Sequence, residues 1–398
     1  MHPSIDLAAS GSPLVALVRD RLLPRLPGRI AGYGHRAFRR AELRALAQAG
    51  GRTILLATND LSRSGAPFLV GEMARIVRDA GYTPVVVSSV DGPLARDLRA
   101  AGLPVLVDLK LGEGPGWLLQ LADGASAAIC NTVDTAGVAE ALTRSLPTLW
   151  YLHEVGLLKS RFADNALRSV LVGVSRVWAG SPLCAQQFVA HRPDVEVVPY
   201  GVVPLGPPPV EPARSPLRIS VFASVEPRKG QDLAVQAYAS LSPAERRSIV
   251  LTLYGRTLDR TFAAGVLAQA RALGVVHGGE LDRAGYADAL LRADAVLVPS
   301  REDTLPLVSL DALAAGRMLL LAPSVGTVVW LTPGVDSLAA EATSVDGVAD
   351  LLRAALARAP DAAAIGAAAR GTFDAHFSPE TFRARLLATV AALMELKS

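Results

Sequence analysis

The most informative residues are two aspartates in the stretch PSREDTLPLVSLDALAAG, at positions 299–316. The apolar run before it predicts a strand that ends at Pro299, so Asp303 lies in the loop leading to the next helix. Asp311 then lies about two turns into that helix, on one definable face. Carboxylates eight positions apart also occur by chance in a chain of this composition, so their meaning depends on the surrounding frame.

The neighbours of the two aspartates predict the boundaries of that helix. We expect Thr304 to cap its amino terminus, Pro306 to stand in its first turn and Gly316 to end it. These boundaries place Asp303 in the loop just before the amino terminus of a helix that follows a buried strand.

A second cluster reads EPRKG at 226–230, after a predicted strand and at the start of a helix. Here Arg228 and Lys229 stand next to Gly230. Adjacent cations at a helix amino terminus, with a glycine that permits close approach, suit a diphosphate. Taken alone, the cluster is read equally well as a solvated cationic turn.

Two further motifs follow predicted strands in the first half of the chain. His153 and Glu154 end the run PTLWYLHE, where a histidine could donate a hydrogen bond to a hydroxyl or titrate as an acid or base. The loop NDLSRSGAP at 59–67 brings Gly65 to a helix start, whose free N–H groups attract anions. The alternatives are a histidine satisfied by a backbone carbonyl and an ordinary strand-to-helix turn.

The elements that position these motifs alternate along the chain from residue 52 onward. Short apolar runs are separated by helical stretches, which predicts parallel sheets with helices on both faces. The predicted strands of the first half are Thr53–Thr58, Thr83–Ser88, Pro104–Val107, Ala127–Asn131, Thr148–His153, Leu171–Val174 and Val195–Val198. Those of the second half are Leu217–Phe222, Ile249–Tyr254, Val275–His277, Ala295–Pro299 and Met318–Ala322.

This pattern predicts an α/β protein with two Rossmann-like, doubly wound domains facing a central cleft, where ligands bind at the carboxyl ends of the strands. Residues 203–216 hold six prolines and read as a linker between the domains. The predicted parts are a basic helical extension (1–50), an N-terminal domain (51–202), the linker (203–216), a C-terminal domain (217–378) and a last helix packing back on the N-terminal domain (379–398).

Composition excludes several classes of protein. Of 398 residues, 51% are hydrophobic and 19% charged, and only two are cysteines, which excludes a disordered chain and a small disulfide scaffold. The net charge is only +3, so no nucleic-acid partner is predicted. The sequence contains neither a long apolar run, nor a basic region leading into an apolar stretch, nor a Cys/His cluster or D-x-D motif. We therefore expect a cytoplasmic protein without a metal or cofactor.

Residues 13–48 are rich in arginine and amphipathic. One interpretation is peripheral contact with an anionic membrane, at the inner face of the plasma membrane, or with a partner. The other interpretation is an N-terminal helical segment that packs on the first domain. Pro24 and Pro27 interrupt the periodicity, which favours the second interpretation.

The frame of 299–316 resembles the family 4 glycosyltransferases, retaining enzymes of the GT-B fold. That family carries a strand ending in proline and serine, a carboxylate, seven residues, a second carboxylate and A-x-A-x-G. The resemblance extends to FASVEPRKGQDLAVQAY (222–238), LTLYGR (251–256) and LWYLHE (149–154), and it covers residues 52–396.

This resemblance implies a bacterial hexosyltransferase that needs no metal. It would move a sugar, with retention, from a nucleotide-diphosphate sugar to a hydroxyl of a glycan, a lipid-linked molecule or a small molecule. The pathway would be synthesis of a polysaccharide, a glycolipid or another glycan.

The resemblance also implies roles for individual residues. Arg228 and Lys229 would bind the donor diphosphate, and Asp311 would hold the nucleotide ribose. Asp303 would lie beside the donor sugar, and His153 would contact its hydroxyls. The other implied donor-side residues are Gly65, Gly255, Arg256, Glu302, Leu305, Pro306 and Leu307. The other implied acceptor-side residues are Ser64, Gly65, Ala66 and Glu154.

The sequence departs from the family pattern at two places, and the double aspartate together with the basic N-terminal segment supports an alternative. The family usually has glutamate at both carboxylate positions and an arginine near the position of Ser224. The alternative is a catalytically weakened GT-B module that binds a glycan or a partner transferase. A GT-B epimerase or phosphorylase is a third interpretation, but a phosphorylase needs a pyridoxal lysine, and Lys110, Lys159 and Lys397 have no fitting context.

Overall fold

The computed structural model describes residues 52–62, 64–155, 165–206 and 215–397, and six residues between positions 36 and 46. Most of the predicted basic extension (1–50), and residues 207–214 of the predicted linker, lie outside this part. The chain divides into two compact units. The first unit comprises Met1–Gly180, Cys184–Val198 and Arg383–Ser398. The second unit comprises Ser181–Leu183 and Pro199–Phe382.

The first unit contains a seven-stranded parallel sheet of order β3-β2-β1-β4-β5-β6-β7. Its strands are β1 (Thr53–Thr58), β2 (Thr83–Ser88), β3 (Val105–Val107), β4 (Ala127–Asn131), β5 (Thr148–Leu152), β6 (Arg176–Ala179) and β7 (Glu196–Val197). The helices between them are α1 (Gly65–Asp79), α2 (Pro93–Ala100), α3 (Gly116–Gly124), α4 (Ala136–Leu142), α5 (Asn165–Gly173) and α6 (Pro182–Ala185).

The second unit contains a six-stranded parallel sheet of order β10-β9-β8-β11-β12-β13. Its strands are β8 (Leu217–Phe222), β9 (Ile249–Tyr254), β10 (Val276–Gly279), β11 (Ala295–Val298), β12 (Met318–Leu321) and β13 (Leu338–Ala339). The helices are α7 (Gln231–Ser240), α8 (Pro243–Arg247), α9 (Arg260–Ala272), α10 (Arg283–Arg292), α11 (Leu307–Ala314), α12 (Val345–Arg358), α13 (Ala362–His376) and α14 (Pro379–Glu395).

Burial explains why the central strands are continuous apolar runs. In β11, Ala295 and Leu297 belong to one hydrophobic cluster, whereas Val296 and Val298 belong to another. Successive side chains of a strand point to opposite faces, so both faces of this sheet are covered. Helices α7 and α12 pack together, as do α11 and α13.

Side-chain caps determine where several helices of the second unit begin. The Asp282 carboxylate accepts the backbone N–H of Gly285 at 2.8 Å at the start of α10. Ser242 and Glu245 form a capping box at the start of α8. Such caps satisfy N–H groups that have no partner inside the helix, and each stabilises it by about 1 kcal/mol.

The predicted fold class of two Rossmann-like parallel-sheet domains is confirmed, but two local predictions are wrong. The run Leu171–Val174 is not a strand. Its residues Leu171 and Val174 lie on the buried face formed with Leu167 and Val170, which has helical spacing and belongs to α5 and its carboxyl end. The strand that follows, β6, was not predicted. Thr304 does not cap α11, because Pro306 occupies the capping position.

Within the described part of the basic segment, Arg39 is 8% exposed and packs on the first unit. Its guanidinium donates to the Val107 carbonyl at 2.8 Å and forms an ion pair with Asp108 at 3.1 Å. It also lies 4.7 Å from the centre of the Trp117 ring. This arginine is therefore bound to the end of edge strand β3.

Candidate active site

In the second unit, two loops leave the carboxyl ends of neighbouring strands and are tied together. β8 and β11 are adjacent, so the turn Pro227–Lys229 lies beside the loop after β11. The Arg301 backbone N–H donates to the Arg228 carbonyl at 2.8 Å. The Arg228 guanidinium donates to the Glu302 carbonyl at 3.1 Å. Two motifs that stand about seventy positions apart in the sequence thus form one site.

Close packing at this junction requires glycine. Gly230 has a φ of 69°, and a Cβ there would lie 2.1 Å from the Pro299 carbonyl oxygen. Gly255 has a φ of 143°, and a Cβ there would lie 1.9 Å from the Ala223 carbonyl oxygen. Any side chain at either position would force these backbone segments apart.

The Lys229 ammonium and the Asp303 carboxylate form an ion pair in this junction. The two side chains are 15% and 12% exposed, so the pair is largely withdrawn from water. Backbone contacts hold Asp303 in place, since its carbonyl accepts the Gly326 N–H at 2.7 Å. The ammonium group of Lys229 is therefore paired with the Asp303 carboxylate of the same chain.

Asp311 lies on α11 and is 9% exposed. The Tyr286 hydroxyl, from α10, donates to Asp311 Oδ2 at 2.7 Å. Burial raises the pKa of Asp311 to about 6, while the hydrogen bond from Tyr286 and the charge of Arg283 partly oppose this rise. The Tyr286 ring packs edge-on against Phe222, with ring centres 5.3 Å apart.

Tyr200 approaches the same region from the start of the second unit. Its hydroxyl donates to the Leu305 carbonyl. Burial raises the pKa of Tyr200 above its usual range, and the negative charges of Asp303 and Asp311 add to the rise. Tyr200 is therefore an un-ionised hydroxyl near both aspartates.

The Arg228 side chain is held by Glu226. Its guanidinium donates to Glu226 Oε1 at 3.2 Å, and the Ser224 hydroxyl donates to the same oxygen at 2.8 Å. The Glu226 carboxylate thus holds the Arg228 guanidinium near Ser224. This is the position at which the family 4 glycosyltransferases, which the sequence resembles, usually have an arginine.

The remaining predicted donor-side residues of the second unit differ in exposure. Leu305 is buried, whereas Leu307 is 38% exposed at the start of α11. Glu302 is partly buried and Pro306 buried. Arg256 is exposed, and its carbonyl accepts the Val225 N–H at 2.9 Å.

In the first unit, the predicted acceptor-side residues meet at the carboxyl ends of β1, β4 and β5, which are neighbours in the sheet. His153 Nε2 lies 2.7 Å from Asn131 Oδ1. The Asn131 amide donates to the Ala66 carbonyl at 3.1 Å, in the first turn of α1. One partner of the histidine ring is therefore the side-chain amide of Asn131.

Glu154 joins the ends of β4 and β5. Its carboxylate accepts the His153 N–H at 3.0 Å and the Val133 N–H at 3.2 Å. Burial raises the pKa of Glu154, while these backbone hydrogen bonds partly oppose the rise. Burial also lowers the pKa of His153 to about 3, so its imidazole is neutral at physiological pH. This favours a hydrogen-bonding role for the ring over titration near pH 7.

Ser64 and Gly65 lie at the exposed start of α1. Ser64 occupies the capping position without a side-chain cap, and its hydroxyl lies 2.9 Å from the hydroxyl of Ser62. The structure thus joins Ala66 to His153 through Asn131, and Glu154 accepts from the His153 backbone. Ser64 and Gly65 directly precede Ala66 at the start of α1.

Sequence reasoning missed three residues of these sites: Asn131, Tyr200 and Tyr286. Asn131 had a usable signal, because it is a polar residue that ends a predicted apolar strand next to the strand ending at His153. Tyr286 and Tyr200 had none, because their contacts depend on how helices and loops pack.

Two features are absent from the described residues. No group of three or more His, Cys, Asp or Glu side chains in the described part is placed to hold a metal ion. Among the same residues, no helix is both long and apolar enough to span a bilayer.

Comparison with known proteins bears on this geometry. Residues 211–372 match the model of the protein family described as glycosyl transferases group 1. This segment is therefore similar to that family. The match includes the cationic turn, both aspartates and Tyr286. A search of curated protein sequences found no match.

Solved structures with the same fold are GT-B glycosyltransferases. HepE of Anabaena, in complex with UDP and glucose, has a TM-score of 0.71 and 19% identity, over 85% of this chain and 99% of that one. A glycosyltransferase from Rickettsia africae has a TM-score of 0.70 and 15% identity, over 87% and 99%. Sucrose-phosphate synthase from Thermosynechococcus elongatus has a TM-score of 0.67 and 16% identity, over 87% and 100%. The predicted GT-B fold is confirmed.

Proposed function

We propose that this protein is a retaining glycosyltransferase that moves a sugar from a nucleotide-diphosphate sugar to a hydroxyl acceptor. The observation that carries the proposal is the junction of the 227–230 turn with the loop after β11, where Arg228 and Lys229 contact Glu302 and Asp303, within a segment that matches the glycosyl transferases group 1 model. Hexosyl transfer, independence of metals, a bacterial cytoplasmic location and a role in glycan synthesis remain predictions from the family resemblance.

The second unit would bind the donor. A diphosphate is recognised by cations and by N–H groups at a helix amino terminus, and this unit offers Arg228, Lys229 and the start of α11. Asp311 would accept hydrogen bonds from the ribose hydroxyls through its carboxylate. Tyr286 holds one of the two Asp311 oxygens and so directs the shorter aspartate side chain.

The chemical step would consist of leaving-group stabilisation. Negative charge develops on the diphosphate as its bond to the sugar breaks, and the fixed charges of Arg228 and Lys229 would stabilise it. The acceptor hydroxyl then attacks from the face that the diphosphate leaves, which retains the configuration. Neither Asp303 nor Asp311 is assigned as a covalent nucleophile.

The first unit would supply the acceptor side. His153 is neutral and rigidly held, so it would hydrogen-bond a sugar hydroxyl without changing its charge. The HepE complexes contain UDP, glucose or UDP-glucose. For this chain we propose a nucleoside diphosphate of the same chemical class without assigning the base.

A ligand screen followed by a transfer assay tests this function. Thermal unfolding is measured with UDP-, GDP-, ADP- and dTDP-sugars, because a ligand at about 100 times its Kd stabilises the native state by about 2.7 kcal/mol. Lys229→Ala is the binding control, and NMR of the product gives the anomeric configuration. Stabilisation without transfer to any hydroxyl acceptor would favour the weakened binding module. An inverted product would refute retention.

A further inference from the structure

Asn131 makes two hydrogen bonds that together determine the state of the His153 ring. It is the last residue of β4 and is fully buried. Its amide nitrogen donates to the Ala66 carbonyl at 3.1 Å, and its Oδ1 lies 2.7 Å from His153 Nε2.

The chemistry of these partners leaves one consistent assignment of protons. A backbone carbonyl can only accept, so the atom of Asn131 that faces Ala66 is the amide nitrogen. The atom facing His153 is then the amide oxygen, which can only accept. In the neutral ring, Nε2 therefore carries the proton, and Nδ1 carries the lone pair.

The backbone directly after Asn131 is strained and held in place. Thr132 has a φ of 77°, which is a rare conformation for a β-branched residue. Its N–H donates to the Tyr151 carbonyl at 2.9 Å. Its own carbonyl accepts from Trp150 Nε1 at 2.9 Å and from the Thr135 hydroxyl at 2.8 Å. Strain of this kind persists only where surrounding contacts enforce it, and it concentrates at functional sites.

We propose that Asn131 is a positioning residue, which fixes His153 as the Nε2–H tautomer and ties its ring to the first turn of α1. The proposal rests on the proposed glycosyltransferase function. Asn131 engages Nε2–H and thereby sets the orientation of the ring at the carboxyl end of β5. Asn131 is fully buried, so it would act on the reaction through His153 and not by contacting the sugar itself.

The direct test is ¹⁵N NMR of the full-length protein labelled at its six histidines. The His153 signals are assigned by their absence in His153→Gln. We expect a protonated Nε2 and an unprotonated Nδ1 in the wild-type protein at pH 7.5. In Asn131→Leu, which can accept no hydrogen bond, we expect the two tautomers to mix.

Asn131→Asp provides a second measurement if the leucine variant does not fold. A carboxylate beside the imidazole favours the charged ring, so the pKa of His153 should rise markedly. Among the described residues, the other titratable groups at this edge include Glu154, Asp134, Cys184 and Tyr151, whose ring centre lies 4.1 Å from that of His153, and they are the same in both proteins. Thr143→Ala, at the carboxyl end of α4, is the matched control and should leave the His153 signals unchanged.

Kinetics supply the functional readout. Loss of one neutral hydrogen bond that orients the ring should lower kcat about tenfold in Asn131→Leu. Affinity for the nucleoside diphosphate should stay constant, because its proposed ligands lie in the second unit. A wild-type His153 with its proton on Nδ1, or a tautomer unchanged in Asn131→Leu, overturns the positioning role. Absence of sugar transfer by the wild-type protein instead defeats the proposed function and leaves the NMR result standing.

Discussion

Replacing Asp311 by asparagine should stabilise the unliganded protein while weakening donor binding. Asp311 is nearly buried, and burial raises its pKa to about 6. Unfolded aspartate has a pKa of about 3.9, so between about pH 4 and pH 6 the folded state binds more protons than the unfolded state. Stability therefore falls as the pH rises through this window, and above it the full cost of the buried charge is present.

The size of the effect follows from the shift. About two pH units correspond to an upper limit of roughly 3 kcal/mol. Asparagine retains an oxygen that can accept from the Tyr286 hydroxyl but carries no charge. We expect Asp311→Asn to gain about 2 kcal/mol at pH 7.5, which raises the Tm of a domain of this size by about 4–8 °C.

The assay is calorimetric unfolding without nucleotide, from pH 4 to pH 8. The gain in Tm should shrink as the pH falls below 6 and be mostly lost at pH 4, where the folded aspartate is protonated and the unfolded one is about half protonated. Asp288→Asn is the matched control, because Asp288 is exposed and lies on the same helix as Tyr286. A gain that does not depend on pH, or no gain at all, refutes the reasoning. The same variant should bind nucleoside diphosphates more weakly.

Three other predictions concern the two units. Lys229→Ala should weaken diphosphate binding by about 1.5–3 kcal/mol, because a charge-assisted contact is lost. Titration calorimetry measures this change, with Lys397→Ala as the control. Equal affinities of Lys229→Ala and the wild type would exclude Lys229 from the phosphate site. Gly230→Ala should lower the free energy of unfolding in urea by about 3 kcal/mol or more, because its Cβ would lie 2.1 Å from a carbonyl oxygen. The control Gly274→Ala has a φ of 74° but open space around the Cβ, and it should lower that free energy by about 1 kcal/mol. Similar losses in both variants would show that packing around Gly230 does not matter. His153 has a folded pKa of about 3 and an unfolded pKa near 6.5, so the folded state should lose stability as the pH falls below 6.5. His153→Gln should lose less stability than the wild type between pH 7.5 and pH 5. Identical stability profiles of the two proteins against pH would contradict the buried neutral ring.

The sequence was most informative where strands are buried on both faces. The bounds of β1, β2, β4, β8 and β9 coincide with the apolar runs that predicted them. The Leu171–Val174 run failed because a few apolar residues in succession also fit the end of a buried helix. Only the contacts of the side chains distinguish these two cases.

Candidate residues in loops after strands were predictable, but their pairing was not. Lys229 and Asp303 both follow strands, and nothing in the sequence states that β8 and β11 are neighbours. Tyr286 shows the same limit more strongly. Its contact with Asp311 depends on the rotation of α10, which is set by packing against Phe222.

The ion pair of Lys229 with Asp303 has a kinetic consequence. In the proposed function, an incoming diphosphate would have to displace Asp303 from the Lys229 ammonium, so the net attraction would be the difference between these two partners. When the nucleoside diphosphate product leaves, Asp303 would pair with the lysine again, so the Lys229 charge would not be left uncompensated. Product departure would thereby be eased at the expense of affinity. A longer or displaced carboxylate at position 303 would change the residence time of the nucleotide before it changed anything else.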